Sequence, residues 1–407
     1  MKERAQRAIA ACRQIARMSE EPGRITRRFL TPPVHDVHEL LRSRMESLGM
    51  TVRTDSAGNL RGLWQPDGAR SQRLVLGSHI DTVPNAGAFD GVLGVALALE
   101  WARLAQELKL PLTIEVIAFS EEEGVRFGVP FIGSRAVAGR FDPALLGLKD
   151  ADGVTLADSI RTFGLEPHKI DEAALDADVL GFVEIHIEQG PVLESEGLSV
   201  AAVTAIVGQT RLTAEFRGQA NHSGTTPMRL RRDALAGAAE WISAVETLAR
   251  QTEGLIATVG KIDAEPNAAN VIAGVARVSL DVRHADDASR KAAVESLLAL
   301  AYVIAEKRGL TLEIARQMDQ PAVPMDERLT ARLADAIEAA GLPEKLMTSG
   351  AGHDAMVMAA RVPTTMLFLR SPGGISHHPD ESVLEEDIEA ALNVGRRFLQ
   401  RLAAEVG

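Results

Sequence analysis

Four short apolar runs in this chain each lead into a histidine or an acid. Leu74–Ser78 precedes His79, Leu112–Phe119 precedes Glu123, and Phe182–Ile185 precedes His186. Thr365–Leu369 leads to a glycine-containing loop that carries His377. Between the runs lie segments with helical spacing, the clearest from about Val92 to Leu108. Strand, helix and strand in alternation predict crossover units and a mixed, largely parallel central sheet flanked by helices, an α/β fold. In such a sheet, residues far apart in sequence converge at the carboxyl ends of the strands. Asp90 joins the set, since it stands just before Gly91 and the start of the Val92 helix. A carboxylate is favoured at a helix N-terminus and there can bridge two cations. Three histidines and two carboxylates, one of them bridging, suit a pair of borderline divalent ions.

The bulk properties narrow the partners. A net charge of −12 and a pI near 5.4 argue against nucleic acid or an anionic membrane surface. Hydrophobic residues at 46% and charged residues at 25% are those of a soluble globular protein. The single cysteine, Cys12, excludes an internal disulfide and fits a reducing cytoplasm. Cys12 itself reads as a buried helix residue. The N-terminal MKERAQRAIAACRQIARM alternates charge and apolar groups, without the apolar core of an export signal. The longest apolar stretches, Val92–Leu99 and Leu297–Ile304, are too short to span a bilayer.

At 407 residues the chain is expected to form two domains. Helical patterns run to about Met18 and over Val37–Leu48, and strand patterns over Thr51–Thr54, Leu60–Trp64, Leu74–Ser78 and Leu112–Phe119. Asp142–Asp178 reads as helices and loops near the surface, and Leu180–His186 as another strand. The pattern changes near Gly208. Strand Thr210–Phe216, helix Arg232–Arg250, strands Leu255–Lys261 and Val275–Arg283, helix Ala288–Lys307 and strand Thr311–Arg316 follow. That β-α-β-β-α-β order is the ferredoxin-like plan. After Pro321 and Pro324 come helix Leu329–Ala340, strand Thr365–Leu369 and a C-terminal helix from about Glu385. The expectation is a catalytic domain of residues 1–207 and 321–407 with an α+β domain, 208–320, inserted in it.

Each motif has a plain structural reading beside the chemical one. In GSHIDTVPNAGAFDGVLGV, His79 taken alone is a loop residue and Asp90 a helix cap. Together with Asp81, which could hold the second ring nitrogen of His79, they read as a metal-binding turn. In FSEEEGVRFG, three acids in a row usually mark a solvated face or a helix start. After a buried strand, one can ligate a metal and its neighbour can move a proton. In HIEQGPVLE and GISHHPDE, a lone histidine is more often structural than a ligand, and His378 competes with His377. Their occurrence alongside the first two motifs reverses that judgement. The arginines at 229, 231 and 232 read as a solvated helix start on this acidic chain.

These segments, together with HSGTTPM, PNAANVIAG, DVRH and SGAGHDA, resemble the dinuclear metallo-amidohydrolases related to aminoacylase and carboxypeptidase. Within them the match falls on the N-carbamoyl-L-amino acid hydrolase and allantoate amidohydrolase group, and it spans nearly the whole chain. The resemblance implies a zinc-exopeptidase-like catalytic domain and an inserted lid and dimerisation domain. It implies that His79, Asp90 and His186 hold one metal and that Asp90, Glu123 and His377 hold the other. Glu122 would be the general base and Asp81 the partner of His79. His222 would come from the partner subunit of a homodimer. Asn270 and Arg283 would grip a substrate carboxylate, and Gln189, Gly352 and His353 would line the pocket. Two positions depart from the family pattern. Ala273 stands where proline is expected, and His378 where a small polar residue or asparagine is usual. The Ser376–His377 pair favours His377 as the ligand.

The implied reaction is metal-assisted hydrolysis of a linear ureido or carbamoyl acid, with release of ammonia and carbon dioxide. Two rival readings keep the scaffold. One is an aminoacylase or dipeptidase acting on N-acyl amino acids or peptides, and the other a binding protein without turnover. Zinc, manganese, cobalt and nickel all suit these ligands, so the sequence leaves the metal open. It also leaves open the choice between allantoate and an N-carbamoyl amino acid.

Overall fold

The computed structural model describes residues 1–68 and 72–406. In chain order the helices are α1 (Lys2–Ile15), α2 (Pro32–Ser47), α3 (Val92–Glu107), α4 (Ile132–Val137), α5 (Leu156–Thr162) and α6 (Val192–Glu196). They continue as α7 (Ala234–Gln251), α8 (Asp287–Arg308), α9 (Glu327–Ala339), α10 (Asp354–Met358) and α11 (Glu385–Val406). The strands are β1 (Thr51–Thr54), β2 (Leu60–Trp64), β3 (Arg73–His79), β4 (Thr113–Phe119), β5 (Val179–Ile187) and β6 (Val200–Ile206). They continue as β7 (Gly208–Arg217), β8 (Asn221–His222), β9 (Ile256–Thr258), β10 (Ile262–Glu265) and β11 (Val271–Ile272). The last are β12 (Val275–His284), β13 (Thr311–Gln320), β14 (Val323–Pro324), β15 (Leu346–Ser349) and β16 (Thr364–Leu369). The chain divides into two compact units, Met1–Thr204 with Met325–Gly407, and Ala205–Pro324.

The first unit is built on a mixed sheet of order β1-β2-β4-β3-β5-β16-β6-β14, with β15 beside β6. The four central strands β4, β3, β5 and β16 run parallel, and the flanking pairs are antiparallel. Every residue of β4 is buried, as expected where helices cover both faces of a parallel strand. Helix α3 is buried over most of its surface for the same reason, and α1 and α11 pack against it. Cys12 lies in the buried face of α1, where burial raises its thiol to about 12. Helix α3 opens at Gly91, whose φ of 65° favours glycine and whose missing Cβ leaves room for the His79 ring. Parallel direction puts the carboxyl ends of β3, β4, β5 and β16 on one edge, so His79, the Glu121–Glu123 turn, His186 and the His377 loop all emerge there.

The second unit has its own core, with Leu212, Phe216, Trp241, Val278, Leu297 and Ile304 at its centre. Its sheet order is β10-β12-β7-β13, with β9 also on β12, and every pairing is antiparallel. Alternate residues of β7 and β12 face the core, and α7 and α8 pack on the sheet. Both helices begin at aspartate caps, Asp233 on the Ala236 N–H and Asp286 on the Ser289 N–H.

Three local expectations change. Helix α2 begins at Pro32 rather than Val37, because two prolines supply the fixed φ and need no amide partner in a first turn. The strand expected over Leu255–Lys261 is two, β9 and β10, which pair with different stretches of β12. The segment expected near the surface, Asp142–Asp178, buries Leu156, Ile160, Ile170 and Ala173 in the main core. Strand β6 has no counterpart among the sequence-based expectations, although Val200–Ile206 is largely apolar.

Candidate metal centre and active site

His79 is the last residue of β3, and its Nδ1 lies 3.1 Å from the Asp81 carbonyl. His186 is the penultimate residue of β5, and its Nδ1 lies 2.9 Å from the Ile187 carbonyl. Each ring therefore donates its Nδ1–H to a backbone oxygen and turns Nε2 inward. The two Nε2 atoms are 3.4 Å apart. Asp90 meets them with Oδ1, at 3.7 Å from His79 and 3.2 Å from His186. Its other oxygen, Oδ2, lies 3.1 Å from His377 Nε2, which is 3.5 Å from Glu123 Oε1. The Asp90 carboxylate thus divides between two donor sets.

Among the described residues, four groups of donors converge closely enough to hold a metal ion. Two share Asp90: His79–Asp90–His186 and Asp90–Glu123–His377. A third is His79–Glu122–Glu123 and a fourth Glu184–His186–His353. The Glu184 oxygens are already committed, one to the Ser78 hydroxyl at 3.0 Å and one to the Ala355 N–H at 2.7 Å. That leaves the two sets sharing Asp90 as the better fit.

The chemistry of those donors calls for cations. Asp90 Oδ1 is buried and has no hydrogen-bond donor. Burial opposes charge on His79, but hydrogen bonding to Asp81 and Asp90 holds its pKa well above the usual histidine range. A proton on each Nε2 would set two N–H groups against each other across 3.4 Å. A divalent ion held by His79, His186 and Asp90 would satisfy all three groups, which a proton cannot do.

Three acids follow β4. Asp81 holds their turn in place, its Oδ1 accepting the Glu122 N–H at 2.9 Å and its Oδ2 the Glu123 N–H at 3.1 Å. Glu122 is buried, and burial together with Glu123, Asp354 and Asp81 pushes its carboxyl well above the ordinary range, against the pull of His79. Burial raises Glu123 to about 7.

Gln189 stands at φ 59° and His377 at φ 55°, both in the left-handed region. The Gln189 amide nitrogen donates to Asp90 Oδ2 at 3.1 Å and to Ser376 Oγ at 3.0 Å, and lies 3.4 Å from His377 Nε2. His353 packs edge-on against His186 with centroids 4.4 Å apart, and its Nε2 is 3.0 Å from Ser349 Oγ. Burial, then the charge of His186, keeps its pKa well below the usual range. Gly352 lies against Phe131, where a Cβ would come within 3.0 Å of the ring. His378 belongs to none of the four donor groups, and its Nδ1 accepts the Asp380 N–H at 3.2 Å.

The remaining sequence-derived residues lie in the second unit. His222 is exposed on β8, and its Nδ1 accepts the N–H groups of Gly224 at 3.0 Å and Thr225 at 3.2 Å. Asn270 adjoins it, since its carbonyl accepts the Ser223 N–H at 3.0 Å. Arg283, on β12, makes a two-point contact with Asp281, both bonds at 3.0 Å. Asp281 also receives Gln209 at 2.7 Å and Arg211 at 2.9 Å. Along the β7–β12 ladder, Val275 pairs with Arg217 and Arg283 with Gln209. The β8–β11 ribbon, with His222 on it and Asn270 just before β11, follows Arg217 and precedes Val275, so it lies off the far end of the ladder from Arg283. Sequence reasoning missed Asp281, because an acid two residues before an arginine on a strand has no distinctive pattern. It also missed Glu381, which bonds to residues some 290 positions away.

A chain with two donor sets at the carboxyl edge of a mixed sheet has the layout of a metal-dependent hydrolase. Over residues 75–401 it matches peptidase family M20/M25/M40, and it belongs to that family. It is 37% identical to allantoate deiminase of Arabidopsis thaliana over 94% of this chain and 80% of that protein. It is 36% identical to N-carbamoyl-L-amino acid amidohydrolase of Geobacillus stearothermophilus over 96% of each. A crystal structure of an amidase of the hydantoinase/carbamoylase family from Burkholderia multivorans superposes with a TM-score of 0.91 at 32% identity, covering 98% of this chain and 97% of that one.

Proposed function

We propose that the protein is a metal-dependent amidohydrolase that cleaves the carbamoyl C–N bond of a ureido acid, an N-carbamoyl-L-amino acid or allantoate. The observation that carries this is the Asp90 carboxylate shared by two donor sets beside the buried Glu122. The similarity to an allantoate deiminase and an N-carbamoyl-L-amino acid amidohydrolase supports the substrate class. His79, Asp90 and His186 would hold one divalent ion, and Asp90, Glu123 and His377 a second. Zinc, manganese, cobalt and nickel all accept this mixture of imidazole and carboxylate. Bound there, the ions supply Lewis acidity, polarising the scissile carbonyl and acidifying the attacking water.

The chain's own residues do the rest. Glu122 takes a proton from the attacking water on a carboxylate oxygen and returns it to the leaving nitrogen. Asp81 fixes both the His79 ring and the backbone of Glu122, so ligand and base keep their spacing. Gln189, Gly352 and His353 line the pocket. His222 accepts two backbone N–H groups on Nδ1, so its neutral ring carries the proton on Nε2 and can donate it to an oxyanion. Arg283, steadied by Asp281, binds the substrate carboxylate, and Asn270 contributes a polar contact beside His222. The products are ammonia, carbon dioxide and the freed amino compound.

Within one chain His222 and Arg283 belong to opposite ends of the second unit's sheet. The eight residue steps from Val275 to Arg283 alone span about 26 Å at the usual rise of a strand. A small acid cannot touch both ends. The reading therefore takes Arg283 and the His222–Asn270 pair from different subunits of a homodimer working in the cytoplasm. No helix among the described residues is long and apolar enough to cross a membrane.

The test is a substrate panel. Protein loaded in turn with each metal is given N-carbamoyl-L-amino acids, allantoate, N-acetyl amino acids and dipeptides, and ammonia and free amino acid are measured. Ammonia from a ureido acid is expected. Turnover of N-acetyl amino acids or dipeptides with none of any ureido acid would replace this reading with the aminoacylase or peptidase one. Binding without turnover throughout would leave a scaffold without catalysis.

A further inference from the structure

Glu381 is a buried carboxylate four residues beyond His377, in a stretch with no strand or helix of its own. Its Oε1 accepts two successive backbone N–H groups, Phe89 at 2.8 Å and Asp90 at 3.0 Å. Its Oε2 receives the Ser376 hydroxyl at 3.3 Å. The glycine at 87 makes room for it, because a Cβ there would overlap the Glu381 side chain. One carboxylate therefore ties the turn that presents Asp90 to the loop that presents His377.

The two donor sets depend on that tie unequally. His79 and His186 are rooted in neighbouring strands, β3 and β5, and each ring is fixed by a backbone carbonyl. His377 sits on a loop, at φ 55°, with its side chain about half exposed. Besides the ligand contacts of His377 itself and a 3.5 Å approach of Ser376 Oγ to Asp90 Oδ2, that loop is held to the rest of the site by Glu381 and by the Gln189 contact to Ser376. Outer partners of this kind set how well a ligand pair is prepared before an ion arrives.

We infer that Glu381 is a positioning residue for the Asp90–Glu123–His377 set, and that it governs the affinity of that ion while leaving the His79–Asp90–His186 ion largely unaffected. The inference rests on the two-ion reading proposed above. The experiment is a titration of chelator-stripped protein with Co²⁺, followed by visible absorption and calorimetry. The parent is expected to take two ions in two resolvable steps. A parent that takes fewer than two ions would defeat the two-ion reading itself.

Given two steps in the parent, Glu381→Ala is expected to weaken by about 10–100-fold the step that His377→Ala also weakens, and to leave the other in place; loss confined to the other step overturns the inference. Glu381→Gln should stay close to the parent, because its amide oxygen still accepts both N–H groups and its amide NH2 can donate to Ser376 Oγ. Gly87→Ala, which keeps the carboxylate but pushes it aside, should reproduce the selective loss. It carries the test if Glu381→Ala fails to fold. Parent-like binding of both ions in Glu381→Ala or in Gly87→Ala overturns the inference, and so does equal weakening of both steps.

Discussion

Asp81 Oδ1 accepts the backbone N–H of Glu122 at 2.9 Å, so a residue just beyond the end of β3 fixes the turn beyond β4. The general base of the proposed reaction is thus held through its main chain, and its side chain is left to exchange a proton. Glu122→Gln keeps size and backbone contacts while removing the titratable oxygen. Metal content is expected to match the parent, and kcat to fall by about 10²–10⁴-fold or more. Parent-like turnover by a fully loaded variant would remove Glu122 from that role.

His377 and His378 are adjacent, but only His377 reaches Asp90 and Glu123. Replacing His377 with alanine is expected to release or weaken one ion, measured by metal analysis after dialysis. The same change at His378, whose Nδ1 faces the Asp380 N–H, should leave metal content unchanged. Loss of metal from the His378 variant alone would shift the ligand by one residue.

Subunit sharing has a mixing test. Glu122→Gln protein and His222→Ala protein are each expected to be nearly inactive. After exchange of subunits, a mixed dimer has one site with both residues intact and should recover activity, approaching about a quarter of the parent's in a random equal mixture if sites act independently. Labelled subunits would report the exchange. No recovery despite exchange would confine His222 to its own chain.

Buried His38 makes a pH-dependent contribution to stability. Its Nε2 has no hydrogen-bond partner, and burial, then repulsion from His35 and Arg42, depresses its pKa to about 3. The unfolded chain takes up this proton near pH 6.5 and the folded one only near 3, so stability is lost as pH falls between those values. The slope from this one residue is about 1.4 kcal/mol per pH unit. Urea unfolding of His38→Leu between pH 6.5 and 4.5 should show a flatter dependence than the parent. Parallel curves would show that His38 already titrates normally in the folded state.

The parts of this molecule that follow a repeating pattern could be read in advance. Apolar runs ending at His79, Phe119, Ile187 and Leu369 are strands because a sheet covered on both faces needs uninterrupted apolar sequence. The inward alternation of Leu212, Ala214 and Phe216 marks a strand covered on one face. The ties between loops follow no period. Glu381 to Asp90 and Gln189 to Ser376 join single residues 291 and 187 positions apart, and only folding makes them neighbours. Helical spacing marks α2 only from Val37 and misses the start that the Pro32–Pro33 pair gives it, and the break between β9 and β10 depends on how each meets β12.

The place of β16 bears on how such a chain can be synthesised. It lies between β5 and β6, yet Thr364 follows Ile206 by the whole inserted unit and more. A nascent chain that has not reached Leu369 leaves one edge of β5 bare, an apolar strand with unpaired amides and carbonyls. Such an edge is a template for pairing with other chains. The intervening unit has its own core and can pack while that edge waits. A chain cut or stalled short of β16 is therefore an aggregation hazard, whatever the state of the half that already looks finished.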